Sequence, residues 1–575
     1  MRLGKLLAFA FVGTHASVAL NSTSNPVLNE WYECSENTFP GTNSTGIHTE
    51  CAVFSAPLCY PGICETPDTV QSAIDVFVKR MPATKGRHEA APNVWEVQGF
   101  RRLDVRCSWN LYNTHTNGIL RLAGESIIAG LHDLLQGSMN MYTMDHRGTG
   151  RSTLLDCDVN TTGSGMNKTV NPSEIPTCAK QLQAKYGDLA AFSVTSAATD
   201  LKTIMTKHTN GASTFVVSGS YGSVLMERFM HFAPPMVSGY VLDSIATASG
   251  APADEFLYLS NWDRYFGEVG DNFLALSEKD HSVTTHFGST SLRDTLQNVI
   301  EQFEKEPNST CAKLISNVKT IRGGDPPAVA LRVGLGALLM DMYQRRFIPP
   351  VVYRLNRCEP NDVDVLTHFV KSLNALSDPI PEDAYASALL YYLIVYSEMW
   401  ENPTPDQAQM TTRFMNSRIS NGQTYLLNSQ YCAFSKEKSS SCDEFGVGRY
   451  DANGIIYEHD QYWNKTASIP KNTSVLLLSG GLDPQTPSYV AESLLRVLKG
   501  DNKELITFDY CPHSTLGTSV LASYLQNNGD LKLMNKKCVD EMPLFNLTIP
   551  PSIMYSSMST DDAYDGIYSS SLSAE

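Results

Sequence analysis

Ser220, Asp483 and His513 are of the types, and in the chain order, that let a hydroxyl attack a carbonyl. Ser220 lies in Ser218-Gly219-Ser220-Tyr221-Gly222, directly after the apolar run Phe215-Val216-Val217. Leu225, Phe229 and Phe232 follow at helical spacing. A strand, a glycine-flanked serine on a sharp turn and then a helix is the context that presents a hydroxyl at the end of a sheet. The first position of the pentapeptide is Ser where the G-x-S-x-G form has Gly. Asp483 follows the apolar run Val475–Leu478 in Ser479-Gly480-Gly481-Leu482-Asp483-Pro484, and His513 follows Leu505–Phe508 in Asp509-Tyr510-Cys511-Pro512-His513. Each has a distinct task. Serine is a weak nucleophile until a base removes its proton. Histidine titrates near neutrality and is the natural base. The carboxylate orients the imidazole and stabilises its charged form. Asp243 also ends a strand-like run and competes for the acid's role.

These residues need a scaffold that brings several strand ends together. Ile74–Lys79 alternates as an edge-like strand, Val94–Gln98 and Met139–Asp145 read as further strands, and Gly239–Asp243 as another. Ala197, Leu201, Ile204 and Met205 mark a helix capped by Thr195. From about residue 250 to 450 helical periodicity dominates, at Leu331–Tyr343, Val363–Leu376 and Ala384–Trp400. The last of these is the longest apolar candidate, and its Tyr, Ser and Glu residues make it a buried helix rather than a membrane span. Strand-helix alternation then resumes, with a helix at Ser488–Leu498. The expected class is α/β: a mostly parallel sheet with helices on both faces and an inserted helical cap. The working site lies beyond the carboxyl ends of its strands. The expected boundaries are a signal peptide at 1–19, the first part of the catalytic domain at 20–250, the cap at 251–450, the second part at 451–550, and a disordered Ser- and Asp-rich tail at 551–575.

Several features place the chain outside the cytosol, as a secreted, extracellular or vacuolar protein. Arg2 and Lys5 precede an apolar stretch from Leu6 to Val12 and small residues at Ser17-Val18-Ala19, the pattern of a secretory signal. Eight N-x-[ST] sequons occur, at Asn21, Asn43, Asn160, Asn167, Asn308, Asn464, Asn472 and Asn546. In an oxidising compartment 13 cysteines allow six bridges with one left over. Cys59/Cys64, Cys157/Cys178, Cys432/Cys442 and Cys511/Cys538 are plausible local pairs. No Cys/His spacing suits zinc, and no metal or cofactor is expected. The formal charge of −16 disfavours nucleic acid and anionic membrane as partners.

Four stretches together resemble the tripeptidyl aminopeptidase and prolyl aminopeptidase group of α/β hydrolases. They are His146-Arg147-Gly148-Thr149-Gly150-Arg151-Ser152, Ser218–Gly222, Val241-Leu242-Asp243, and Leu478-Ser479-Gly480-Gly481-Leu482-Asp483-Pro484-Gln485-Thr486-Pro487. The resemblance covers about 50–250 and 450–540. It implies the α/β-hydrolase fold and a secreted serine exopeptidase that cleaves short peptides from the N-terminus, with Ser220, Asp483 and His513 as the triad. It also implies that Arg147 and Arg151 position their loop, and that a cap carboxylate binds the substrate ammonium, for which Glu398 is a candidate. The alternatives are another ester or amide hydrolase on the same scaffold, or a catalytically impaired binding protein.

The chain departs from that group at one loop. A Gly-Gly-Pro-Gly turn is replaced by Val97-Gln98-Gly99-Phe100-Arg101-Arg102, and no second Gly or Pro follows. The N–H of Tyr221 supplies one donor to a developing oxyanion, and Gly99 or Phe100 must supply the other. Residues 99–135 are expected to be a divergent segment, with Cys107 as the unpaired thirteenth cysteine.

Overall fold

A computed structural model describes residues 27–38, 44–97, 123–159, 161–162, 169–247, 249–250, 256–320, 323–375, 385–513 and 517–572. Eight strands form the body of the main sheet: β1 Glu50–Pro57, β2 Ala73–Met81, β3 Asn93–Val97, β4 Asn140–Met144, β5 Thr214–Gly219, β6 Val237–Asp243, β7 Ser474–Gly480 and β8 Lys503–Phe508. Their spatial order is β1-β2-β4-β3-β5-β6-β7-β8. From β4 to β8 every pairing is parallel, whereas β2 runs antiparallel to both of its neighbours. Two short strands, Val27–Leu28 and Tyr32–Glu33, extend the sheet antiparallel to β1. The central strands are apolar along their whole length because both faces are covered; every residue of β5 and β7 is buried.

One face packs under helices α2 (Val194–His208) and α3 (Tyr221–Met230), in a cluster that includes Leu201, Ile204, Leu225 and Phe229. The opposite face packs under α1 (Ala123–Leu134) and the helix Thr518–Gln526, through Ile128, Leu131, Leu521 and Leu525. The strand named edge-like in the sequence, β2, is interior, because the weakly patterned β1 covers its outer side. Helix α2 is capped by Ser193, whose side chain accepts the N–H of Ser196, and not by Thr195. The Thr195 hydroxyl instead bonds Asp460.

The helical insertion divides in two. Helices from Trp262–Ser277 to Pro360–Ala375 build their own core, around Phe273, Leu296, Phe303 and Phe369. Helix α4 (Ala388–Glu398) packs instead with the sheet's first core, which is why it is apolar on every side.

Residues 551–572 are not the disordered tail that their composition predicts. Pro551–Met558 is a helix, and Met554, Met558 and Ala563 join the cap's core. The buried Arg354 then donates to the carbonyls of Ala563, Asp562 and Gly566, which fixes the chain beyond that helix. Few apolar residues suffice there because the cap supplies the complementary surface.

Among the described residues, disulfides join Cys34–Cys51, Cys59–Cys64, Cys157–Cys178, Cys311–Cys358 and Cys432–Cys442. Three of the local pairs expected from spacing therefore form. The fourth does not: Cys511 is bridged, but Cys538 is a free thiol. Among the described residues the free cysteine is Cys538; Cys107, the expected unpaired one, lies outside them.

Candidate active site

Strands β5 to β8 are parallel, so their carboxyl ends share one side of the sheet, and Ser220, Asp243, Asp483 and the loop to His513 all start there. Ser220 stands between β5 and α3 with φ 55° and ψ −126°. A non-glycine residue rarely adopts positive φ, and such strain concentrates where a side chain is held for function. The turn is anchored on both sides. The N–H of Ser220 donates to the Asp243 carbonyl at 2.9 Å, and its own carbonyl accepts from the Ser223 hydroxyl at 2.5 Å. Ser223 in turn accepts the N–H of Ala246, tying α3 to the segment after β6.

His513 selects its acid by geometry. Its Nδ1 lies 2.7 Å from Asp483 Oδ2, and both side chains are buried. Asp483 is held by the N–H groups of Gln485 and Thr486 at Oδ1 and by the Thr486 hydroxyl at Oδ2. A carboxylate fixed by three donors cannot rotate away from the imidazole. With Nδ1–H donating to Asp483, Nε2 carries the lone pair, and this nitrogen is buried without a hydrogen-bond partner. Asp243 is buried one strand away, where its backbone carbonyl receives the N–H of Ser220.

The Gly480-Gly481 pair makes the two loops meet. A methyl group at Gly480 would fall 2.4 Å from the Cys511 carbonyl oxygen and 2.5 Å from that of Pro512; at Gly481 it would fall 2.3 Å from that of Asp509. All three approaches are below any normal carbon-oxygen contact. Backbone bonds from Gly481 to Phe508 and from Leu482 to Cys511 lock the contact. The sequence offered this signal, two glycines just before the acid.

Around this centre lie buried ionic networks. Arg147 is wholly buried and forks onto Asp200, with bonds of 2.6 Å from Nε and Nη2, while Nη1 donates to the carbonyls of Leu58 and Ala191. Arg151 forks onto Asp145 and also reaches Glu125 at 2.6 Å. Glu125 pairs with the buried Lys79 as well. Both arginines are therefore taken up in positioning the loop after β4. The His146 ring bridges Nδ1 to the Arg147 carbonyl (2.6 Å) and Nε2 to the Tyr221 hydroxyl (3.1 Å). Burial pulls its pKa down to about 4, so it is neutral.

Glu398 is neither solvated nor open to a substrate ammonium. Arg228 takes Oε2 at 3.0 Å and the Tyr457 hydroxyl takes Oε1 at 2.9 Å. Glu227, on α3, accepts from the Thr247 hydroxyl at 2.8 Å through Oε2, and its Oε1 is buried without a partner. Burial pushes its carboxyl up to about 7. Tyr221, the first residue of α3, places its N–H at the helix N-terminus beside Ser220. Gly99 and Phe100 lie outside the described residues. So does Cys107, and with it the first part of the segment expected to diverge. From Ala123 onward that segment is an ordinary amphipathic helix, and Glu125 on it makes the Lys79 and Arg151 ion pairs.

No family model and no curated protein sequence matches the chain. Solved structures resemble it only weakly. An esterase from Exiguobacterium antarcticum is 10% identical, with 79% of this chain and 96% of that chain covered and a TM-score of 0.28. The monoacylglycerol lipase of Paleococcus ferrophilus is 13% identical over 76% of this chain and 96% of its own, with a TM-score of 0.27. Mouse alpha/beta hydrolase domain-containing protein 10 is 10% identical over 82% and 97%, with a TM-score of 0.27. Likeness at that level carries no inference about activity. The strand order, the antiparallel β2, and the strained serine between β5 and α3 with an acid after β7 and a histidine after β8 are features of the chain itself, and they make it an α/β-hydrolase fold.

Proposed function

We propose that the protein is a serine hydrolase, secreted, which cleaves short peptides from their N-terminus through an acyl-enzyme. The observation that carries the hydrolase reading is the Asp483–His513 pair, whose Nε2 is left buried and unpartnered at the strand ends where the strained Ser220 also stands. In this reading Ser220 Oγ attacks the scissile carbonyl as its proton passes to His513 Nε2. Asp483 stabilises the imidazolium that results. The C–N bond then breaks, and the leaving amine takes the proton from Nε2. Water, deprotonated by the same nitrogen, attacks the ester and releases Ser220 with the acid product. The Tyr221 N–H donates to the carbonyl oxygen as it gains charge.

The preference for peptide N-termini is supported by the Leu478–Pro487 string and its resemblance to the aminopeptidase group. Export is supported by the signal-like N-terminus, the sequons and the disulfides. The test is a panel of chromogenic substrates with free or acetylated N-termini, one to three residues long, alongside simple aryl esters. An aminopeptidase hydrolyses the free peptides and loses at least about tenfold in kcat/KM on acetylation. Turnover of esters alone would place the protein among other ester hydrolases, and no turnover or labelling would make it a binding protein.

A further inference from the structure

Among the described residues five arginines are almost fully buried, and four of them have a carboxylate: Arg147 meets Asp200, Arg228 meets Glu398, Arg332 meets Glu304 and Arg354 meets Asp362. Arg345 is the exception. It sits in the cap on the short turn Gln344–Phe347 and is 4% exposed. Among the described residues no carboxylate comes within ion-pair distance of it. Its Nη2 donates to the carbonyl of Tyr510 at 2.6 Å, while its Nη1 is buried with no hydrogen-bond partner. The nearest acid in sequence, Asp341, is already engaged, because its Oδ1 accepts the N–H groups of Tyr343 and Gln344. The next residue, Arg346, adds a second positive charge, and its own Nε is also unpartnered.

An unmatched buried cation is expensive, and an anionic ligand group beside it would offset that cost. The location narrows the ligand. Tyr510 is three residues before His513, and Leu482, beside Asp483, packs into the same cap core as Phe347. The guanidinium also lies over the Phe545 ring, at 5.7 Å. Arg345 thus stands where the cap meets the loops that carry the acid and the base.

We propose that Arg345 is a carboxylate-binding subsite for the substrate, its unpartnered Nη1, with the second N–H of Nη2, meeting either a peptide's terminal carboxylate or an acidic side chain. Burial and Arg346 pull its pKa down to about 10, so the group remains charged at neutral pH. The proposal deepens the peptidase reading and rests on it for the identity of the substrate, but binding can be read without turnover.

The experiment uses the full chain with Ser220→Ala, so that peptides bind without reacting. Calorimetry compares Ala-Ala-Ala as the free acid and as the amide, and Ala-Glu-Ala-amide with Ala-Gln-Ala-amide. At least one acid should bind about tenfold or more tightly than its neutral counterpart. The first pair reports a terminal carboxylate and the second a side chain. Adding Arg345→Gln should bring that ratio to within about twofold. Arg345→Lys, which keeps the charge and loses the fork, should reduce it at least threefold and decides the matter if the glutamine variant fails to fold. Equal binding of both members of both pairs, or a ratio unchanged by either substitution, overturns the subsite. Fluorophosphonate labelling of the wild-type chain is read separately, so a failed subsite and a failed nucleophile give different results.

Discussion

Asp483 Oδ2 and His513 Nδ1 stand 2.7 Å apart although 30 residues separate them, and three donors from Gln485 and Thr486 fix the carboxylate in that place. The imidazole tautomer follows from this contact. Replacing Asp483 with Asn lets the amide present its N–H side and turn the ring to the wrong tautomer. Asp483→Asn should lower kcat by about 10⁴ with little change in KM. Steady-state kinetics on the folded variant check this, and a loss below tenfold would mean that another carboxylate serves.

The contact depends on the glycines that let the two loops touch. Gly480→Ala places a methyl 2.4 Å from the Cys511 carbonyl and must push the His513 loop outward. Overpacking of this kind costs about 1–3 kcal/mol of stability. Displacement of the base by about 1 Å should lower kcat by about 10². Thermal unfolding and kinetics on the same preparation separate the two effects.

Buried carboxyls set the stability profile on the alkaline side. Burial pushes Glu96 up to about 8 and Glu227 up to about 7, from an ordinary value of 4.5. The folded chain therefore holds protons that the unfolded chain releases between those values. The resulting stabilisation is complete below about pH 4.5 and is lost as pH rises through 7 to 8, with Glu227 alone accounting for about 3 kcal/mol. His146 acts in the opposite sense. Its folded value of about 4 lies below the ordinary 6.5, so its contribution is present above 6.5 and lost as pH falls toward 4. Urea unfolding from pH 4 to 9 should show a maximum in weak acid, and Glu227→Gln should flatten the alkaline limb. An unchanged limb would contradict the burial of that carboxyl.

The C-terminal segment is part of the cap. Ending the chain at Pro550 removes Met554 and Met558 from the cap's core and leaves Arg354 without the carbonyls of Ala563 and Gly566. A loss of about 3–5 kcal/mol is expected, read as a lower urea midpoint. A midpoint equal to that of the full chain would show that the segment contributes nothing.

The catalytic half of the fold was legible because its central strands are buried on both faces and read as unbroken apolar runs. The order Ser, Asp, His at the ends of β5, β7 and β8 carried the candidate site. The antiparallel β1 was missed because its buried Ala52, Phe54 and Ala56 alternate with the half-buried Val53, Ser55 and Pro57, so small residues on one face and apolar ones on the other blur the polarity pattern, and its absence made β2 look like an edge. The tail was misread for a related reason. Its order comes from Met554, Met558 and the carbonyls that Arg354 collects, and a composition count does not see such long-range partners. Glu398 read as a candidate ammonium ligand for want of its partners: Arg228 lies 170 residues away and Tyr457 lies 59 away. The second oxyanion donor, expected at Gly99, falls outside the described residues.

The central claim is that Ser220 is a nucleophile activated by His513. A fluorophosphonate probe tests it on the intact chain, with the modified residue located by peptide mass spectrometry. The account predicts stoichiometric labelling at Ser220, abolished in Ser220→Ala and reduced at least about 10³-fold in rate in His513→Ala. Folded wild-type protein that takes up no label, or that takes it up at another residue, would contradict it.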